Sequence, residues 1–234
     1  MAADFWWGDQ SETHKTHWVN WNRLCMPKNQ GGLGFRNMKA FNYAMLGKQA
    51  WRILTTPTPL LHHVLKAKYF PTTDFLYATL GYRPSFTWRG ILEGWKALNI
   101  GCRLRVGSGG SIRIWHDRWL PRPKSFRICS PPRVLGYHAR VADLIHHDLR
   151  SWNTALIDGI FWEEEASLIK SLPLSKHLTN DRWIWHFTQN CKFSVRSAYH
   201  AIMDSDILDV GQTAQASSSA GIDAIWKKRW SLDV

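Results

Sequence analysis

Two-cation chemistry on phosphate esters needs acidic side chains that converge on a metal pair, because the cations stabilise the attacking and leaving oxygens. The chain has 13 aspartates and no Asp-Asp pair. Its single acidic run, Glu163-Glu164-Glu165, falls in the first turn of an expected helix, where negative charge favours the helix dipole. Successive helical residues diverge by about 100° and do not meet at one metal. The histidine pairs His14/His17, His62/His63 and His146/His147 have no second pair or Cys-x-x-Cys at zinc spacing. Cys25, Cys102, Cys129 and Cys191 lie far apart and read as free thiols of a reducing compartment. Gly107-Ser108-Gly109-Gly110 would suit a phosphate if it followed a strand and opened a helix. Both its flanks read as strands, so a hairpin turn is expected instead. No catalytic residue and no metal ligand are assigned.

The positive signal is charge. Residues 1–125 hold 18 Lys and Arg against 6 Asp and Glu, whereas residues 126–234 hold 12 against 12. The whole net charge of +12 therefore belongs to the first half, which also carries many of the 15 tryptophans. A basic, aromatic-rich region is the sequence footprint of a polyanion-binding surface. Lys48 and Arg52 are four apart on one expected helix and repel mildly unless an anion neutralises both. Arg36, Lys66, Lys68, Arg89, Arg103, Arg105 and Arg113 extend the candidate set, with Trp88 and Trp115 among them. Phosphate neutralisation would give sequence-independent affinity, and exposed Trp could stack on unpaired bases. The competing reading makes the tryptophans core and the cations a solvated face.

The elements that must position these residues follow from caps, periodicity and punctuation. Phe5-Trp6-Trp7-Gly8 reads as a helix end closed by glycine. Asn20 caps a short helix through Cys25, and Asn37 caps a helix over 37–54. A helix over Leu60–Tyr69 places Leu60, Leu61, Val64, Leu65 and Lys68 on one stripe, with His62, His63 and Lys66 opposite. Another spans 87–98. Arg103–Val106 and Ser111–Trp115 are expected to pair as a hairpin, as are Arg182–Phe187 and Lys192–Val195. Prolines over 121–133 mark an irregular connection. Shorter helices are expected over 140–147, 153–160 and 162–171, with another starting near Ser197. The stretch 204–223 has linker composition. No apolar run approaches the roughly 18 residues of a membrane span, and the N-terminus lacks secretory-signal design.

Several blocks carry a family resemblance. They are Gly31-Gly32-Leu33-Gly34-Phe35-Arg36, Phe41 through Arg52, Leu65-Lys66-Ala67-Lys68-Tyr69-Phe70-Pro71, Pro84-Ser85-Phe86-Thr87-Trp88-Arg89 and Val106 through Pro121. In this order they resemble the region downstream of the polymerase core in plant non-LTR (LINE-type) retroelement reverse transcriptases, and similar plant mitochondrial reading frames. Ile225-Trp226-Lys227-Lys228-Arg229-Trp230 resembles the opening of that family's zinc-binding module. Two departures stand out. Gly47 replaces a usual alanine, at a cost of up to about 1 kcal/mol in a helix interior, and Cys102-Arg103-Leu104-Arg105 replaces a commoner Trp-Arg pattern.

The resemblance implies an α+β, mainly helical chain with two small β-hairpins, a fragment of a larger multidomain protein. Its expected parts are a basic segment over 1–120, a helical segment over 121–204, a flexible linker over 205–224 and the start of a truncated zinc module over 225–234. The parent would be an RNA-directed DNA polymerase using Mg2+, and the downstream module would hold Zn2+; this chain would hold no cofactor. Expected partners are RNA and DNA, bound nonspecifically, and the polymerase core, with no membrane involved. The location would be intracellular, in nucleus or mitochondrion. Two alternatives stand beside this: a module that docks on the polymerase without touching nucleic acid, and a non-functional relic.

Overall fold

The structure, a computed structural model, describes residues 6–8, 16–56, 60–122, 125–132, 134–146, 148–175 and 179–213, with side chains through Ser205. Capping side chains set the helices by satisfying amides that have no partner within the helix. Asn20 accepts from the Asn22 amide and opens α1, Trp21–Leu24. Asn37 accepts from Ala40 at 3.0 Å and opens α2, Met38–Thr55. Helix α3 is Leu60–Tyr69, and Ser85 accepts from the Trp88 amide to open α4, Phe86–Leu98. The chain continues through β1, Cys102–Arg105, β2, Ile145–His146, and β3, Ser151–Trp152. Next come α5, Thr154–Ile160, capped by Asn153, and α6, Glu163–Ser171. It ends on β4, Arg182–Trp185, and α7, Val195–Thr213, where Ser194 Oγ accepts from the Ser197 amide. The class is α+β, mainly helical, with two two-stranded sheets.

The strands pair differently from the expected hairpins. β1 runs antiparallel to β4, with Cys102 opposite Trp185 and Arg105 opposite Arg182. The local hairpin is β2 with β3, and β2 occupies the end of the segment 140–147 expected to be helical; a 3-10 turn, Val141–Leu144, precedes it. Ile112 and Ile114 do alternate inward and are fully buried. Their backbone, however, meets residues 139–141: Ile114 N–H donates to Ala139 and Val141 N–H to Ile112. Residues 192–195 form no strand, because α7 begins at Val195.

Two apolar clusters result. The first gathers α2, α3, α4 and the start of α7 around Trp88, Phe70, Phe75 and Trp185. The second gathers residues 106–169 around Trp119, Ile112, Ile114, Leu144 and Ile169. The β1–β4 ribbon lies between them, giving Cys102 and Trp185 to the first cluster while Leu104 packs on the second. Leu120 and Ile128 belong to the second cluster, and the chain leaves the first near Arg105 and re-enters at Arg182. Helix α7 covers 205–213 of the expected linker; residues 214–224 and the zinc-module start at 225–234 lie outside the described residues.

Gly47 has a packing reason. It is buried where α2 crosses α4, and a Cβ there would meet Phe193 Cζ at 3.1 Å and the Gly94 carbonyl at 3.4 Å. Its partner Gly94 is tighter, with a Cβ falling 2.3 Å from the Leu46 carbonyl carbon. Two glycines let the helix backbones approach.

Candidate nucleic-acid interface

Among the described tryptophans three are buried, while Trp6, Trp18 and Trp162 are exposed and the rest half-buried. Trp88, Trp119 and Trp185 are 0% exposed. Their N–H groups donate to the Thr79 carbonyl, the Ile114 carbonyl and Ser197 Oγ. Trp115 is half-buried and donates to the Ser130 carbonyl at 2.9 Å; Trp152 donates to the Leu172 carbonyl. A ring that buries its faces and satisfies its N–H inside the fold has no face left for a base. Trp88 is thus removed from the expected binding set, and Trp115 serves to hold the Pro-rich segment.

Cations divide into two populations. In the second cluster and the ribbon several have partners within the fold. Arg103 is half-buried, donates to the Trp119 carbonyl at 3.2 Å, and burial lowers its guanidinium from the ordinary value. Arg113 pairs with Asp117 at 3.4 Å and reaches the Tyr77 hydroxyl; the Asp117 hydrogen bond raises its pKa. Arg122 pairs with the buried Glu165 at 2.7 Å, and Arg150 donates to the Gly107 and Ser175 carbonyls. Arg105 is exposed, opposite Arg182 across the ribbon. Arg103 and Arg113 are thus each held by partners within the fold.

Residues 16–92 carry the other population. Between Thr16 and Leu92 the sequence has ten Lys and Arg against a single acid, Asp74. All ten are exposed: Arg23, Lys28, Arg36, Lys39, Lys48, Arg52, Lys66, Lys68, Arg83 and Arg89. None forms a salt bridge among the described residues. Arg36 lies over Phe41 at 4.7 Å, Arg52 contacts Gln49 and Lys68 lies over Tyr69 at 5.2 Å. Tyr69 stacks on Trp88 at 4.6 Å and 2°. That stack holds α3 against α4 and carries the neighbouring Lys68 and Arg89 on elements locked together.

The sequence reading missed the exposed aromatics. Tyr77 is 60%, Tyr82 85% and Phe86 91% exposed. Phe86 stands at the first turn of α4, off the stripe of Trp88, Ile91 and Leu98 that is buried. Its neighbours Gly81 and Pro84 were the available signal, since aromatics in turn-forming sequence are not in phase with a helix core. The α3 stripe also differs. Leu65 is buried, but Leu60, Leu61 and Val64 are exposed, while His62 packs edge-on to Phe70 and contacts the Ile53 carbonyl.

Two carboxylates have structural duties. Gly107 N–H and Gly109 N–H reach Asp181 Oδ1 at 2.7 and 2.8 Å, and Ser111 N–H and Oγ–H reach Oδ2 at 2.9 and 2.7 Å. The glycine loop is thus an anion cradle, not a hairpin turn, and its anion is internal. A Cβ at Gly107 would strike the Thr179 carbonyl at 2.2 Å, so glycine is required for the approach. Partial burial opposes the Asp181 charge, and the donors from Ser111, Gly107 and Gly109 outweigh it, leaving the pKa lowered. Glu165, 1% exposed, accepts from Arg122, the Cys129 and Ser130 amides and Ser130 Oγ–H. The acidic run is therefore more than a dipole complement, since its third member anchors Arg122, Cys129 and Ser130. Among the described residues no three His, Cys, Asp or Glu side chains cluster to hold a metal, and no helix is long and apolar enough to cross a membrane.

No protein-family model matches the chain, and no solved structure matches it. The "Putative ribonuclease H protein At1g65750" of Arabidopsis thaliana is 30% identical over 233 residues, which is 98% of this chain and 37% of that protein. The "Uncharacterized mitochondrial protein AtMg00310" of the same plant is 40% identical over 119 residues, 50% of this chain and 77% of that protein. The chain spans only about a third of the longer relative but most of the shorter one, and it belongs to the family of the Arabidopsis mitochondrial protein AtMg00310.

Proposed function

We propose that the chain is an accessory segment of a plant LINE-type reverse transcriptase that grips RNA or DNA without sequence preference. The supporting observation is the ten-to-one excess of exposed cations over residues 16–92, free of salt bridges among the described residues. Exposed cations without salt bridges among the described residues release counterions when they meet a phosphate backbone. The binding set becomes Arg36, Lys48, Arg52, Lys66, Lys68, Arg83 and Arg89, with Arg105 as an outlying contributor. RNA-directed DNA synthesis, with its Mg2+, belongs to other parts of the longer polypeptide, and Zn2+ belongs to the downstream module. The segment works in the nucleus, or in the mitochondrion as the name of one relative suggests.

Affinity for single-stranded RNA and duplex DNA against salt tests this. The Lys48→Glu, Arg52→Glu, Lys66→Glu, Lys68→Glu variant should bind more weakly. Its logarithmic salt slope should flatten by about 0.7–0.9 for each phosphate that the variant no longer neutralises. No binding at low salt, from a protein that unfolds cooperatively, would sink the reading. A second reading has its own support: the exposed Leu60, Leu61 and Val64 on α3 suit docking onto the polymerase core. In that case the charge variant leaves nucleic-acid behaviour unchanged.

A further inference from the structure

The turn Gly81–Phe86 holds two large rings, Tyr82 and Phe86, in water. Gly81 and Arg83 are both left-handed, at φ 68° and 48°. An arginine there is strained and persists only where its surroundings fix it. They do so on both sides. The Ser85 amide donates to the Tyr69 hydroxyl at 3.0 Å, Ser85 Oγ accepts from the Trp88 amide, and Trp88 Nε1–H reaches the Thr79 carbonyl. Tyr69 and Trp88 are themselves stacked. The result is a rigid turn from which Tyr82 and Phe86 project, 85% and 91% exposed. Arg83 lies over the Tyr82 ring at 5.2 Å, and Arg89 follows Phe86 by three residues on the same helix face. From Phe75 to Leu92 there is no acid.

We infer that this turn is a stacking platform for unpaired bases of a single-stranded nucleic acid, with Tyr82 and Phe86 receiving bases and Arg83, Arg89 and Lys68 holding the flanking phosphates. The inference rests on the nucleic-acid reading above and narrows its ligand. Rings offered face-out among cations match a strand that exposes both base faces and phosphates. A duplex hides its base faces and gains only from the charge. A protein partner would need acidic or apolar groups to match each of these cations and rings, and nothing on this surface selects for it.

The test uses the full chain with a fluorescent oligouridine, an abasic strand of equal length and charge, and a duplex. The Tyr82→Ala, Phe86→Ala variant should lose about fivefold or more in oligouridine affinity per ring removed. Its affinity for the abasic strand and the duplex, and its salt slope, should stay at the wild-type level. Tyr82→Phe should bind oligouridine as wild type does. In the wild type, 5-iodouridine placed in the strand should cross-link to Tyr82 or Phe86, a readout that does not depend on the variants folding. Unchanged oligouridine affinity, or cross-links confined to other segments, overturns the platform and leaves the rings to a protein contact. Equal losses on the abasic strand overturn it too, because the rings would then only position charge. These failures differ from that of the broader reading, in which the wild type binds none of the three probes.

Discussion

Alanine at Gly94 sets two known effects against each other at the α2–α4 crossing. Replacing a helical glycine by alanine stabilises by up to about 1 kcal/mol through propensity. Against this, the new methyl would lie 2.3 Å from the Leu46 carbonyl carbon, 2.4 Å from its oxygen and 2.7 Å from the Gly47 nitrogen. All three are backbone atoms, so no side chain can rotate away, and the helices must part by roughly 1 Å to restore ordinary contact. Overpacking of this kind costs about 1–3 kcal/mol, and opening a packed interface forfeits a quarter or more of its dispersion energy. The second effect wins, for a net loss of about 2 kcal/mol and a fall in Tm of about 4–8 °C. At Gly47 the nearest atom is the ring edge of Phe193 at 3.1 Å, which can shift, so Gly47→Ala should lie within about 0.5 kcal/mol of wild type. Gly159 in α5 meets nothing within 4 Å, so Gly159→Ala should stabilise by about 0.5 kcal/mol. Urea titrations followed by circular dichroism would rank the three. A Gly94→Ala midpoint at or above wild type, with unchanged m, would refute the crossing geometry.

Other outcomes follow from the buried polar groups. Asp181→Ala strands the Gly107 and Gly109 amides and should cost about 3 kcal/mol, read by thermal unfolding. Because the folded pKa of Asp181 is lowered, its contribution is complete above about pH 4 and disappears as pH falls through the folded value. The gap in Tm between wild type and Asp181→Ala should therefore narrow in acid; a gap that widens would contradict the cradle. Glu165→Ala removes four accepted hydrogen bonds and the partner of Arg122, and should destabilise by about 3 kcal/mol or more in the same titration. Burial pushes the Cys102 thiol up, whereas Cys129 is exposed. Alkylation followed by mass spectrometry should label Cys129 in the folded protein and Cys102 only on unfolding.

Features set by neighbours in sequence were legible in advance. Asn20, Asn37 and Ser85 each satisfy an amide two or three residues away, so the starts of α1, α2 and α4 could be read from residue type. The alternation of Ile112 and Ile114 was legible as burial but silent about the partner, because a period of two records which face is covered and not what covers it. The pairing of β1 with β4 depends on Asp181 finding the amides of Gly107 and Gly109, some 70 residues away, and no local pattern encodes that meeting. Among candidate ligand residues, charge was legible and exposure was not. Lys48, Arg52, Lys66, Lys68 and Arg89 are on the surface, while Arg103, of the same type as Arg52 and Arg89, is half-buried and held by a carbonyl. Tyr82 and Phe86 stand out only once the left-handed turn at Gly81 and Arg83 is seen.

The β1–β4 ribbon also bears on how fast the protein can assemble. Arg105 and Arg182 are paired, so closing the ribbon ties off a loop of roughly 75 residues. Chain closure on that scale costs about 4 kcal/mol of entropy before any strand contact forms. Trp185 and Phe193 complete the first cluster only after that closure, while α2, α3 and α4 are contiguous and can associate early. Such a chain should fold in two stages, a fast helical collapse and a slower docking of the C-terminal strand and helix. Prior condensation of the inserted residues would shorten the effective loop and speed the second stage.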